Sequence, residues 1–262
     1  MVLEARPSSL LGRLGLRIGR GAGCPAFGCG TLGGLMDETS ITRINVAEDG
    51  PYRVTGVPLV RMRKVPDEDG EMLRWDRGEV LRQHGPYDLC RCGRSQSMPF
   101  CDGTEAANGF DGTESADWVP TADRRFEYGD GPAVLTDDQS LCSQATFCDA
   151  RTTDAWALAE QTEDPERRAM MIRMVQRCPS GRLAYYLPPD LPFVEEELTQ
   201  EIAAVDDGPL WVRGGVPIEA ADGFEYEVRN RVTLCRCGYS KNKPFCDGSH
   251  VRTKFKDRGE WT

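Results

Sequence analysis

Sixteen residues from Cys235 to His250, CRCGYSKNKPFCDGSH, bring three thiols and one imidazole close together in the chain. Thiolates one residue apart on an extended loop project near enough to share a single metal ion. Cys246 and His250, four residues apart across a Cys-Asp-Gly turn, can share another if the chain enters a helix at Asp247. The free N–H groups and dipole of a helix N-terminus would favour electron-rich sulfur there. Pro244 fixes the backbone ahead of Cys246, and Gly238 and Gly248 permit tight turns. Four ligands in two pairs suit two irons bridged by two sulfides. A near copy, CRCGRSQSMPFCDGTE, lies 145 residues earlier from Cys90 to Glu105, with a carboxylate where the imidazole stood.

The spacing Cys235-x-Cys237-x2-Ser240-x3-Pro244-x-Cys246-Asp247-Gly248-Ser249-His250 resembles the motif of the CDGSH (mitoNEET-like) iron–sulfur family at every position, over roughly 50 residues per copy. The resemblance implies a 2Fe–2S cluster with Cys235 and Cys237 on one iron and Cys246 and His250 on the other. It also implies a two-fold assembly of two motifs in one small β-rich domain. Duplication would supply both motifs from one chain, as in bacterial tandem-motif members. The first copy keeps Cys90, Cys92, Ser95, Pro99, Cys101, Asp102 and Gly103 but departs at Glu105. A carboxylate can ligate iron, so Cys90, Cys92, Cys101 and Glu105 form one candidate 2Fe–2S set. His84, six residues before Cys90, a water, another residue, or no stable cluster at all are the alternatives.

Between the copies, Cys142-x5-Cys148 and Cys178-Pro179 follow the ferredoxin habit of a final ligand before proline. The run Cys178–Leu183 resembles the divergent single-cluster 4Fe–4S ferredoxins, over roughly residues 130–188. Three thiols imply a 3Fe–4S cluster, or a 4Fe–4S cluster with a non-cysteine ligand such as Asp149. The plain alternative is a degenerate domain whose cysteines are only buried.

These loops need elements to hold them. From Ile41 the chain turns β-like, with a turn at Asp49-Gly50-Pro51, and the phrase TRINVAEDGPYRVTGVPL (42–59) returns as EIAAVDDGPLWVRGGVPI (201–218). Each copy then runs to its cysteine loop, after 40 residues from Gly50 and 27 from Gly208, a difference of 13 that fits an inserted loop around Val65–Asp76. Such self-similarity marks an internal duplication. In the middle, Ala133–Thr136 and Arg182–Leu187 read as strands and Thr153–Glu160 as helical. A second helix should start at Asp164-Pro165, cap then proline, and end before Cys178. Met170, Met171 and Met174 read as core filler, and the tail from Val251 as a polar segment near the second loop. The expected fold class is α+β: small β-rich units duplicated with a pseudo-two-fold relation and an inserted ferredoxin-like α/β segment. Expected boundaries are an extension over 1–37, a first unit 38–128, the ferredoxin-like segment 129–190, and a second unit 191–262.

Composition narrows the function classes. Net charge is −10, and outside residues 1–36 the balance is 28 basic against 41 acidic side chains. That surface repels phosphate backbones, which argues against nucleic acid, and would attract a basic redox protein. No apolar run approaches the roughly 20 residues of a membrane span. Eleven cysteines, mostly at ligand-like spacings, point to metal binding in a reducing, cytoplasmic compartment rather than to disulfides. Residues 1–36, with Cys24 and Cys29, read as an Arg-rich targeting segment or as an extension before Met36. Electron transfer or cluster and iron handling, with a pH-sensitive His-ligated cluster, is the function these features favour. A structural zinc module for interactions is the second reading; zinc knuckles usually space their cysteines by two to four residues. With no dinucleotide fingerprint, phosphate loop or nucleophile elbow, an enzyme is the least supported class. The chain is expected to act as a monomer with an internal pseudo-dimer, or as a homodimer.

Overall fold

Two Asp-Gly-Pro turns, with Asp49 and Asp207 at positive φ, fold the repeated phrase into two matching hairpins; aspartate is among the residues that tolerate this conformation. The structure is a computed structural model that describes residues 6–7, 42–83, 85–189 and 193–257. Strand β1 (Arg6–Pro7) joins the middle sheet. The first unit contains β2 (Arg43–Val46), β3 (Tyr52–Thr55), β4 (Leu59–Pro66), β5 (Met72–Arg82), β6 (Tyr87–Leu89), α1 (Glu105–Asn108) and α2 (Thr121–Arg124). The middle segment holds β7 (Phe126–Tyr128), β8 (Val134–Asp137), β9 (Asp149–Ala150), β10 (Thr153–Asp154), α3 (Ala155–Ala159), α4 (Pro165–Gln176) and β11 (Leu183–Tyr186). The second unit has β12 (Glu201–Val205), β13 (Leu210–Arg213), β14 (Ile218–Glu219), β15 (Arg231–Leu234) and α5 (Ser249–Arg252).

The two units exchange strands. Hairpin β2–β3 pairs with its own β6, and hairpin β12–β13 with its own β15. The strand after each hairpin crosses over instead: β4 lies parallel to β12, and β14 lies parallel to β2. The resulting sheets run β14-β2-β3-β6 and β15-β13-β12-β4-β5. Their facing sides share one core, in which Ile44, Tyr52, Val54 and Leu89 meet Leu59, Ile202, Leu210 and Leu234. Strands from both units therefore stand in each sheet, and neither unit has a core of its own. Burying each of these side chains is worth about 1.5–3 kcal/mol, and all of it depends on the exchange.

Segment 65–76 is not the loop the length difference suggested. Val65 pairs with Arg74 and Lys64 with Trp75, so the insert is the far end of a β4–β5 hairpin turning at Asp67–Gly70. Its side chains reach the middle segment. Arg151 is clamped by Asp67 and Asp69 at 2.8 and 2.6 Å, and Trp75 Nε1 donates to the Arg177 carbonyl at 2.9 Å. Trp75 also packs against Phe147 and Trp211.

The middle segment folds around its own core of Leu135, Leu158, Met171, Met174, Val175 and Leu183. Its sheet runs β1-β7-β8-β11. Asp164 caps α4 through the Glu166 and Arg167 N–H groups, with Pro165 in the first turn, as its sequence signature requires. The helical stretch around Thr153–Glu160 is shorter than expected, since Thr153–Asp154 is strand β10 and only Ala155–Ala159 is helix.

Candidate metal centres

Each cysteine loop is stapled by the same hydrogen bonds. The Ser95 hydroxyl donates to the Phe100 carbonyl and that of Ser240 to the Phe245 carbonyl, at 2.7 and 2.6 Å. Asp102 accepts from the Gln96 and Thr104 N–H groups, and Asp247 accepts from those of Lys241 and Ser249. Cys90 N–H donates to the Pro99 carbonyl and Cys235 N–H to that of Pro244, so the first cysteine of each loop is tied to the proline before the third. Serine, aspartate and proline in the repeated pattern therefore shape the loop rather than bind metal.

The sulfurs come out in pairs. Cys90 and Cys92 Sγ are 3.7 Å apart, and Cys235 and Cys237 Sγ are 3.8 Å apart. Two thiolates on one tetrahedral metal, with bonds of about 2.3 Å, stand about 3.8 Å from each other. Cys246 Sγ lies 3.5 Å from His250 Nδ1, where a shared metal would place sulfur and nitrogen about 3.6 Å apart. In the first loop Cys101 Sγ lies 3.2 and 3.1 Å from the two Glu105 carboxylate oxygens, so Glu105 takes the place of the imidazole. Among the described residues no three such donors converge on one ion. Two pairs per loop fit a two-iron cluster, whereas a structural zinc needs four donors around one point. His84, Cys24 and Cys29 lie outside the described residues.

Protonation follows the same pairing. The hydrogen bond from its neighbour lowers one thiol of each Cys-x-Cys, Cys92 to about 6 and Cys235 to about 7. Burial pushes Cys246 well above the usual thiol range and Cys101 up to about 12, so metal must displace those protons. Asn108 Nδ2 is buried beside Cys92, and its amide helps lower that thiol. Burial, then Lys64 and Arg236, hold His250 down to about 4 against the opposing charge of Asp247. The unfolded chain therefore binds a proton near pH 6.5 that the folded metal-free chain refuses until about 4. Stability of the metal-free protein falls as pH drops through that window, by up to about 3 kcal/mol.

The helix expected at Asp247 begins at Ser249 and lasts one turn, after Gly248 at φ +80°. The tail is less polar than its composition suggests. Phe255 packs on the cysteine pairs, and Asp257 is buried in an ion pair with Arg236.

Arg91 and Arg236, the residues between the paired cysteines, went unremarked in the sequence. Both are buried. Arg91 donates to the Ala47 and Gly50 carbonyls of its own hairpin turn, and Arg236 to the equivalent Val205 and Gly208 carbonyls. Their signal was available: an arginine repeated between paired cysteines in both copies.

The loops also touch one another. Gly93 and Gly238 have positive φ, and a Cβ on either would fall 2.4 Å from the Cys237 carbonyl oxygen or 2.6 Å from that of Cys92. Tyr52 of the first hairpin donates to the Cys235 and Pro244 carbonyls at 2.8 and 2.9 Å. On its other side the second loop meets the middle segment. A Cβ on Gly248 would strike the Gln144 side chain at 2.3 Å and lie 3.4 Å from the Cys142 carbonyl oxygen. His250 lines a cavity of about 470 Å³ there with Lys64, Trp75, Gln144 and Lys254.

Cys142, Cys148 and Cys178 line a second cavity of about 350 Å³, together with Asp149, Asp154 and Arg182. Burial raises Cys148 to about 11, with the charges of Cys178 and Cys142 adding to it. Three thiols facing one cavity fit a cubane-type cluster. Asp154 caps α3 at the Ala157 N–H, so Asp149 is the carboxylate on this wall not committed to a helix cap.

Comparison with known families agrees with this layout. Residues 49–104 and 207–251 match the family described as iron-binding zinc finger, CDGSH type, and residues 128–188 match the divergent 4Fe–4S mono-cluster family. The first match stops one residue before Glu105. The chain is an iron–sulfur protein. Two CDGSH-type regions in it flank a divergent 4Fe–4S mono-cluster region. No curated protein and no solved structure matches the chain. All nine described cysteines are free, and no described helix is long and apolar enough to cross a membrane.

Proposed function

We propose that the chain is a one-electron carrier with three iron–sulfur centres in series. The contact pattern carries this reading: the second loop abuts the first through Gly93 and Gly238, and abuts the middle segment through Gly248. Cys90, Cys92, Cys101 and Glu105 would hold one 2Fe–2S cluster, and Cys235, Cys237, Cys246 and His250 another. Cys142, Cys148 and Cys178 would hold a 3Fe–4S cluster, or a 4Fe–4S cluster completed by Asp149. When bound, such clusters supply reversible one-electron chemistry at potentials set by their surroundings. The chain's own residues exclude water from the paired sulfurs, fix their spacing and set the second loop against both the first loop and the middle segment. The strand exchange supports a pseudo-two-fold relation of the two loops within a single chain, for which a monomer would suffice. An acidic surface suits a basic redox partner in a reducing compartment.

His250 gives the second centre its own pH response. The ring must offer an unprotonated nitrogen to bind metal, and protonation withdraws that donor. Lys64 from β4, Arg236 and Asp247 are the charged groups that bear on it. Potentiometric titration of wild type and His250→Cys against pH tests both parts. Wild type should show reversible one-electron couples, with the second centre bleaching at least tenfold faster at pH 5 than at pH 8; His250→Cys should lose that dependence. Absence of a reversible couple, or identical acid bleaching in the variant, would refute the proposal.

A further inference from the structure

Aligning the two copies by their 145-residue offset pairs Phe110 with Phe255, each packed by its arginine, with Arg91 5.6 Å and Arg236 5.4 Å from the ring centre. Two residues on, the copies differ: Gly112 stands where the second copy has Asp257. The backbone there is held alike, since Gly112 N–H donates to Asp49 and Asp257 N–H donates to Asp207. Asp257 Oδ2 accepts from Arg236 Nη1 at 2.6 Å with both side chains fully buried. Arg91 instead donates to the Ala47, Gly50 and Gly112 carbonyls, and among the described residues no carboxylate pairs with it. A Cβ at Gly112 would lie 3.0 Å from Asp49 Cα and from Phe110 Cε1 and 3.2 Å from Arg91 Nη1, so these neighbours must give by a few tenths of an ångström for Asp and Asn alike, and the backbone there is not left-handed. A side chain at 112 would thus start beside the guanidinium.

The two differences cancel. The first site combines anionic Glu105 with an unneutralised Arg91, and the second combines neutral His250 with an Arg236 that Asp257 neutralises. We infer that positions 112 and 257 are set together with the fourth ligand, so that the ligand, the buried arginine and the residue at 112 or 257 carry the same summed charge in both sites. Buried charges act over several ångströms in a low-dielectric interior, and net charge is among the factors that fix a cluster's potential. Other charges differ too, Arg94 against Tyr239, Gln96 against Lys241, Met98 against Lys243 and Asp111 against Lys256. Arg94, Lys241, Asp111 and Lys256 are exposed, where solvent screens them, and Lys243 is held at the Ser240 carbonyl but bears on Cys235.

This inference rests on the cluster reading of the two loops, and a double swap tests it. Reduction potentials are measured on the iron-loaded protein by EPR-monitored titration. Glu105→His should raise the first-site potential, with at least a tenfold shift in the reduced-to-oxidised ratio at fixed potential, which is 59 mV for one electron. Adding Gly112→Asp should restore most of it, whereas the equally bulky Gly112→Asn should not. In the second site Asp257→Asn should raise the potential; if the unpaired Arg236 prevents that variant from folding, the Gly112 series decides alone. Equal effects of Asp and Asn at 112, or no effect of either, would overturn the inference. Wild-type protein lacking iron and sulfide would overturn the cluster reading instead.

Discussion

Gly238→Ala is expected to strip metal from the opposite loop. The substituted residue lies in the second motif, yet its new methyl would stand 2.6 Å from the Cys92 carbonyl oxygen, closer than Cβ atoms approach. Left-handed φ adds about 1–2 kcal/mol of strain. The clash pushes on the backbone of Cys92, whose sulfur lies 3.7 Å from that of Cys90. Gly223→Ala is the matched control, because Gly223 has a similar positive φ with open space around it. Expected results are loss of most first-site iron in Gly238→Ala, and in Gly223→Ala a stability loss of about 1–2 kcal/mol with full iron. Iron retained at the first site of Gly238→Ala would contradict the contact.

Arg231→Met should cost about 3–5 kcal/mol and empty the middle centre. Arg231 belongs to β15 of the second unit, is buried, and donates to the Val175, Cys178 and Leu183 carbonyls at 2.7, 2.9 and 3.1 Å. It also pairs with Glu195 at 2.5 Å. Methionine fills much of the volume but removes the guanidinium from the Val175, Cys178 and Leu183 carbonyls and leaves Glu195 with Asn230 alone among the described residues, a change of the kind that breaks a buried pair. The Cys178 carbonyl loses its anchor directly. Urea unfolding of the metal-free protein and iron content of the loaded one check both effects. A variant with wild-type middle-centre iron would show that Arg231 only stabilises.

Much of the site was legible in the sequence because its ligands obey short spacings. The two loops, the altered Glu105, the middle cysteines and the Asp164-Pro165 helix start could be read from adjacent residues. What could not be read depends on partners distant in sequence. Strand exchange leaves no local mark, since β4 and β14 have the same composition whichever sheet they join. The insert at 65–76 looked like a loop because its Asp and Gly residues dominate, whereas Lys64, Val65, Arg74 and Trp75 pair as strand. Arg91 and Arg236 went unremarked because only burial and carbonyl partners distant in sequence make them the link between each cysteine pair and its hairpin.

Iron, acid-labile sulfide and zinc measured on anaerobically prepared protein, with EPR of its oxidised and reduced forms, test the central claim most directly. Three centres in series predict about seven or eight irons per chain with a near-equal amount of sulfide, and paramagnetic signals from two 2Fe–2S centres on reduction. Stoichiometric zinc without sulfide would contradict it.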